Sequence, residues 1–144
     1  MSTIVKFFVA PDDASAALVV RTGPGRAVAS LSFGNVDPEE AVVEWECLFG
    51  GGSFEELLEA GEPRIVAGGD DDACVVFALS DRLVRALAEG EPPRLHDVAV
   101  EWARQRAEDG QPIDAELAGE MLSGLGALAH GAGELGHGLY CWVA

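Results

Sequence analysis

The fold of this chain is decided by residues 114–143, which read DAELAGEMLSGLGALAHGAGELGHGLYCWV. Asp114 is a typical N-cap residue, and apolar residues then recur at helical spacing as far as Leu135. The pattern predicts a helix that is capped by Asp114 and is the longest in the chain. Residues 139–143 follow as an apolar run rich in Tyr, Cys and Trp, which predicts a strand.

This long helix is unusual because it carries glycines at positions 119, 124, 126, 131 and 133. Each glycine in a helix interior costs about 1 kcal/mol relative to alanine. We expect such a helix to survive only where it packs closely against its neighbours. The sequence therefore predicts that it lies at the centre of the domain.

The rest of the chain divides into short segments with strand-like or helix-like patterns. Runs of β-branched and aromatic residues predict strands, at residues 3–9, 28–33, 64–67 and 74–79. Cap residues followed by apolar residues three and four apart predict helices, at residues 14–21, 37–50, 53–61, 80–90 and 92–110. The turns between them are predicted at residues 23–25, 34–35 and 68–72, the last joining a hairpin.

Strands and helices are mixed along the chain without strict alternation. This order predicts a single α+β domain over residues 1–144, with helices packed on one face of a small mixed or antiparallel sheet. The first and last segments both have strand patterns, so we expect both to join that sheet. Trp45 and Trp102 fall on apolar helix faces and are predicted to lie in the core.

The charge of the chain is strongly negative and unevenly distributed. Asp and Glu number 25 against nine Lys and Arg, which gives a formal charge of −16 over 144 residues. The stretch from Val36 to Pro63 has no Lys or Arg and holds a run of carboxylates: Asp37, Glu39, Glu40, Glu44, Glu46, Glu55, Glu56, Glu59 and Glu62. Such a field repels nucleic acid and anionic lipid and attracts basic molecules.

This charge distribution predicts a non-catalytic protein that binds a basic partner protein, and neither nucleic acid nor a membrane. The candidate contact residues are Glu40, Glu44, Glu55 and Glu59, on the two helices predicted in this stretch. The pairs Glu44 with Glu46 and Glu55 with Glu59 could also serve acid–base chemistry, but on helix surfaces they more often form a solvated face. High negative charge also promotes solubility without any partner.

The C-terminal segment offers the alternative candidate site. His137, Tyr140 and Cys141 could line a pocket in a small-molecule-binding protein or a weak hydrolase. His130, His137 and Cys141 also form a cluster of metal-capable side chains, but their spacing matches no structural zinc pattern. Cys141 lies between two aromatic residues in an acidic chain, which does not favour a reactive thiolate. We therefore predict no metal, no cofactor and no catalytic set.

The cysteines and the N-terminal segment predict where the protein resides. Cys47, Cys74 and Cys141 are odd in number, widely spaced and set among apolar residues, which predicts buried thiols in a reducing compartment. The apolar run before Pro11 is too short for a signal peptide, and no segment reaches the ~18 apolar residues of a membrane span. The sequence thus predicts a cytoplasmic protein.

Three parts of this layout resemble the YfbM-like family of small bacterial proteins of unknown function. They are the strand Ile4-Val5-Lys6-Phe7-Phe8-Val9-Ala10 before an Asp-started helix, the segment Glu44-Trp45-Glu46-Cys47-Leu48-Phe49-Gly50-Gly51, and the closing long helix and strand. The chain departs from that family by having Glu46-Cys47 where a His follows the Trp, and by a shorter middle. The resemblance implies an α+β fold and carries no established activity.

Overall fold

The computed structural model describes residues 5–20, 30–33, 37–68 and 74–144 of the chain. The strands are β1 Val5–Ala10, β2 Ser30–Phe33, β3 Arg64–Gly68, β4 Val75–Ala78 and β5 Gly138–Val143. The helices are α1 Asp13–Ala17, α2 Pro38–Leu48, α3 Phe54–Glu59, α4 Asp81–Glu89, α5 Pro92–Glu108 and α6 Ala115–Leu135. The α+β class predicted from the sequence is confirmed.

The five strands form one sheet in the order β2-β1-β5-β4-β3, and every neighbouring pair is antiparallel. The first and last strands lie side by side, with Val5 opposite Val143 and Ala10 opposite Gly138. Both therefore join the sheet, as predicted. In this order β3 lies at one edge of the sheet. It is the element that directly follows α3 in the chain.

Most of the helices pack on one face of the sheet and enclose the main core. Trp45 of α2 and Trp102 of α5 are both fully buried there, with ring centroids 5.1 Å apart in an edge-to-face arrangement. Phe7 of β1 and Cys141 of β5 reach the same core from the sheet. The prediction that both tryptophans are core residues is confirmed.

Helix α6 runs through this core, with Met121, Leu122 and Leu125 fully buried. Of its glycines, Gly126 fits the expected close approach, because an added Cβ would lie 3.0 Å from a methyl of Leu95. Added Cβ atoms at the glycines nearer its ends would meet open space, at positions 119, 131 and 133. Close packing therefore accounts for one of these four glycines.

Helix α1 packs on the opposite face of the sheet, so the prediction that helices cover a single face is wrong for this helix. Alternate strand residues point to opposite faces, and β1 and β5 are apolar on both. Phe8 and Tyr140 stack on the second face with ring centroids 5.8 Å apart, and Ala16 of α1 is buried beside them. The indole N–H of Trp142 donates to the Val20 carbonyl at 2.9 Å.

Several predicted boundaries shift, and some fall outside the described residues. The first predicted helix extends to residue 21, but α1 ends at Ala17 and a turn follows. The turn predictions at residues 23–25 and 34–35, and most of the one at 68–72, concern residues that the structure does not describe.

The three cysteines are free: Cys141 is buried as predicted, whereas Cys47 and Cys74 are half-buried.

Candidate functional site

Glu44, one of the four predicted contact residues, is not part of a solvated surface. Its side chain is 11% exposed, and its Oε1 accepts hydrogen bonds from Nη1 of Arg106 at 2.9 Å and from Nε1 of Trp102 at 3.1 Å. The interpretation of Glu44 as part of a solvated helix face is therefore wrong. At about 100° per residue it borders the apolar stripe of α2, and α5 packs against that border.

The partner of Glu44 is a buried guanidinium. Arg106 is 7% exposed, its Nη2 donates to Oε1 of Gln111 at 2.7 Å, and its guanidinium lies 5.6 Å from the Trp102 ring centroid. Removing both ions from water is costly unless each is paired and hydrogen-bonded. The pair therefore fixes α2 against α5. Sequence reasoning missed it, although Arg106 continues the apolar stripe of α5 one turn after Trp102.

Glu46, the predicted companion of Glu44, is 5% exposed and points to a different helix. Its carboxylate accepts a hydrogen bond from the hydroxyl of Ser80, the N-cap residue of α4. An added Cβ on Gly51 would lie 2.6 Å from Cγ of Glu46, so the loop after α2 needs a glycine to close over this carboxylate. Glu44 and Glu46 thus bond to α5 and α4, and they do not form an acid–base pair.

The remaining predicted contact residues lie at or near the surface. Glu55 and Glu59 are exposed on α3, and Glu40 is half-buried in the first turn of α2. Glu40 borders two surface cavities, of about 590 Å³ and about 350 Å³, that also share Phe54. The cavities form one depression between α2, α3, the C-terminal end of α5 and the start of β3. We call this depression the acidic groove.

The lining of the acidic groove combines carboxylates with apolar side chains. The larger cavity is lined by Asp37, Glu39, Glu40, Phe54, Leu58, Glu62, Pro63 and Ile65. The smaller cavity is lined by Glu40, Glu44, Cys47, Phe54, Gln105 and Asp109. Among these described lining residues there is no Lys, Arg or His. A cationic ligand in the groove would therefore meet lining carboxylates, of which Glu44 is already paired with Arg106.

The floor of the groove exposes large apolar side chains. Phe54 is 37% exposed, Leu58 is 49% exposed and Ile65 is 46% exposed. Phe54 and Leu58 are four residues apart on α3 and share one face of that helix. Glu55 and Glu59 each follow by one residue and so lie about 100° further around α3, and neither of them lines either cavity. The groove therefore offers apolar contact surface framed by negative charge.

Partial burial raises the pKa of two groups that line the groove. Burial and, second, the negative charge of Glu46 raise the pKa of the Glu62 carboxyl above its ordinary value. The same two causes raise the pKa of the Cys47 thiol. Cys47 is thus held as a neutral thiol, unsuited to act as a nucleophile.

A third surface cavity serves as a comparison for the groove. It has a volume of about 460 Å³, lies between α5 and α6, and is lined by His96, Ala115, Glu116, Gly119, Glu120 and Ser123. It carries two carboxylates, like parts of the acidic groove. Its described lining residues include a histidine and no large apolar side chain. It therefore lacks the combination that distinguishes the groove.

The C-terminal candidates do not form one pocket. Cys141 is fully buried on the helix-covered face, where burial raises its pKa well above the ordinary value. Tyr140 points to the opposite face, and its hydroxyl donates to Oδ1 of Asp13 at 2.8 Å. His137 is half-buried just after α6. Neighbouring residues of a strand face opposite sides, so Tyr140 and Cys141 cannot line a common site.

Tyr140 belongs instead to a polar cluster that sequence reasoning missed. Asp13 of α1 forms an ion pair with Arg64 of β3 and accepts the Tyr140 hydrogen bond. The hydrogen bonds from Arg64 and Tyr140 lower the pKa of Asp13, while burial and the bond to Asp13 raise the pKa of Tyr140 to about 12. The cluster ties α1 to β3 and β5. No local motif marks it, because its three members are distant in sequence.

Two features that would indicate other kinds of site are absent from the described residues. Within those ranges, no three His, Cys, Asp or Glu side chains are grouped so as to hold a metal ion. No helix in the same part of the chain is both long and apolar enough to span a bilayer. The chain matches no protein-family model, no curated protein and no solved structure. The resemblance to the YfbM-like family stays a prediction.

Proposed function

We propose that this chain is a non-catalytic binding protein whose acidic groove takes a basic, partly apolar segment of a partner protein. One observation carries the proposal: carboxylates and exposed apolar side chains converge in one depression whose described lining has no cation. Specific interfaces combine an apolar centre with complementary charge around it. A purely solvating surface would not need Phe54, Leu58 and Ile65 at its floor.

The class of partner follows from charge. A net charge of −16 repels nucleic acid and anionic membranes, and it accelerates encounters with cationic proteins. The apolar floor requires that the bound segment also carry aliphatic or aromatic side chains. The free cysteines favour a reducing compartment such as the cytoplasm. On resemblance alone, we also place the chain among the bacterial YfbM-like proteins.

The proposal is tested by capture from lysate at physiological salt, with matched variants as bait. Glu40→Lys reverses a charge in the first turn of α2, and Glu116→Lys makes the same change in the first turn of α6. Leu58→Ser removes an apolar group that is 49% exposed, and Leu117→Ser removes one that is 43% exposed. Each pair alters charge or apolar surface equally, inside and outside the groove.

We expect the two groove variants to lose a protein that the wild type and the two α6 variants retain. The retained protein is then purified, and its affinity for each variant is measured by calorimetry. Charge reversal at Glu40 should weaken it about tenfold or more, since removing a close charge contact at an interface costs at least about 1.4 kcal/mol. Equal affinity for Glu40→Lys and Glu116→Lys would contradict the proposal.

A further inference from the structure

The acidic groove ends at β3, the last strand of the sheet in the described residues. β3 pairs with β4, and among the described residues no strand pairs with its other side. Ile65 of β3 also lines the groove together with Phe54 and Leu58 of α3. A ligand that fills this part of the groove therefore lies against backbone groups as well as side chains.

The direction of those backbone groups follows from the ladder. The Leu79 N–H donates to the Leu139 carbonyl at 3.0 Å, so Leu79 bonds toward β5. Hydrogen-bonding directions alternate along an antiparallel strand, so Ala78 bonds away from β5, toward β3. Ala78 lies opposite Arg64, which therefore bonds back to β4. The N–H and C=O of the next residue, Ile65, consequently point outward from the edge.

The open stretch is short. The register shifts between Ile65 and Ala67, and Gly68 has a φ of 81°. Irregularities of this kind protect an edge strand from indiscriminate pairing, because they interrupt the row of exposed backbone groups. An added segment can therefore pair around Ile65 alone, and its affinity must come largely from the neighbouring side chains of the groove.

We propose that the partner segment binds in an extended conformation, as a short strand added to β3 at Ile65. This rests on the proposed function and specifies the form of its ligand. A residue directly opposite Ile65 projects its side chain to the same face of the sheet, toward Phe54 and Leu58. Residues two positions away project to that face as well, toward the carboxylates of Glu40 and Glu62. The segment thus carries an apolar residue flanked, at i−2 and i+2, by Lys or Arg.

The test uses a defined probe, the acetylated and amidated pentapeptide Lys-Thr-Val-Thr-Lys. Its central Val corresponds to the residue opposite Ile65. A second probe is N-methylated at that Val, which removes the N–H that would bond to β3. A third is N-methylated at the Thr after Val, whose N–H would point away from β3. The two methylated probes have the same charge and composition.

Binding is measured by titration of the labelled full chain, followed through its amide resonances. Strand addition predicts that methylation at Val weakens binding about tenfold, whereas methylation at Thr leaves the affinity within about twofold. It also predicts that Ile65→Pro weakens the unmethylated probe, while Ile65→Val does not. Proline is tolerated where an edge N–H faces outward, so Ile65→Pro should still fold.

Three outcomes would overturn strand addition. They are equal affinities for the two methylated probes, no measurable binding of any probe, and full binding by folded Ile65→Pro. The two methylated probes could bind equally well while Glu40→Lys weakens both. That result would leave the proposed function intact and contradict only the extended conformation of the bound segment. An affinity that is unchanged by Glu40→Lys would instead contradict the proposal that the groove is the binding site. If Ile65→Pro does not fold, the affinities of the two methylated probes for the wild type still test strand addition.

Discussion

Glu40 and Glu44 lie one turn apart on the same helix, yet they have different roles. Glu44 is buried and bonded to Arg106 and Trp102 of α5, whereas Glu40 borders the acidic groove. Glu46, two residues further, is buried on another side and bonded to Ser80. The contrast shows that a run of carboxylates is not one surface. Each carboxylate takes its role from the element packed against it.

The largest expected effect separates Glu44 from Glu40 by stability. Glu44→Ala leaves the buried guanidinium of Arg106 and the indole N–H of Trp102 without an acceptor. We expect it to lower the free energy of unfolding by about 3–5 kcal/mol. Glu40→Ala should change it by no more than about 0.5 kcal/mol, because surface substitutions rarely do more. Urea denaturation of the two variants measures the difference.

The double variant Glu44→Leu with Arg106→Leu sharpens this comparison. It removes both charges together, so no ion is left buried without a partner. We expect it to be more stable than Glu44→Ala by at least about 1 kcal/mol, because apolar replacement of a buried pair is often tolerated. A Glu44→Ala variant as stable as Glu40→Ala would refute the structural role given to this pair.

A smaller effect is expected where the loop after α2 closes over Glu46. Gly51→Ala places a Cβ 2.6 Å from Cγ of Glu46 and 3.0 Å from its backbone oxygen. We expect a loss of about 1–3 kcal/mol, the usual cost of overpacking. Gly119→Ala in α6, where an added Cβ meets nothing within 4 Å, should instead stabilise by up to about 1 kcal/mol. Thermal denaturation should show a lower melting temperature for Gly51→Ala and a higher one for Gly119→Ala. Changes of the same sign would contradict the packing described for the two glycines.

The smallest expected effect concerns Glu62 and its dependence on pH. Its folded-state pKa is raised, so its protonated form favours folding. That contribution is complete below the unfolded-state pKa and is lost as pH rises through the folded-state pKa. Glu62→Gln removes the ionisation, so it should be more stable than the wild type at neutral pH and lose this advantage in acid. A stability difference that does not vary with pH would contradict the assignment.

Local sequence patterns predicted much of the fold because local chemistry determines it. Asp37, Ser53, Ser80 and Asp114 accept hydrogen bonds from the first turns of their helices, as N-cap residues do. The helical spacing of the apolar residues placed Trp45 and Trp102 in the core. The central position of the terminal strands followed less directly, since the sequence indicated that both join the sheet but not that they pair with each other.

The candidate site was only partly predictable, because it depends on packing between distant segments. The charge pattern indicated the stretch that contains Glu40, Glu55 and Glu59, and of these three Glu40 lines the groove. It could not show that Glu44 faces α5, because a residue at the border of an apolar stripe can turn either way. Nor could it show that Ile65 and Phe54 line one cavity, since that depends on how the chain folds between α3 and β3. The alternation of side chains along a strand would have predicted, from the sequence alone, that Tyr140 and Cys141 face opposite sides of the sheet.

In the proposed function the acidic groove, and not acidity in general, binds a basic segment. The most direct test is to titrate the pentapeptide Lys-Thr-Val-Thr-Lys into the labelled chain at physiological salt and to map the amide shifts. We expect saturable shifts concentrated at Glu40, Phe54, Leu58 and Ile65, with little change at Glu116 and Glu120 of the comparison cavity. Shifts of equal size at both cavities, or no saturation, would contradict it.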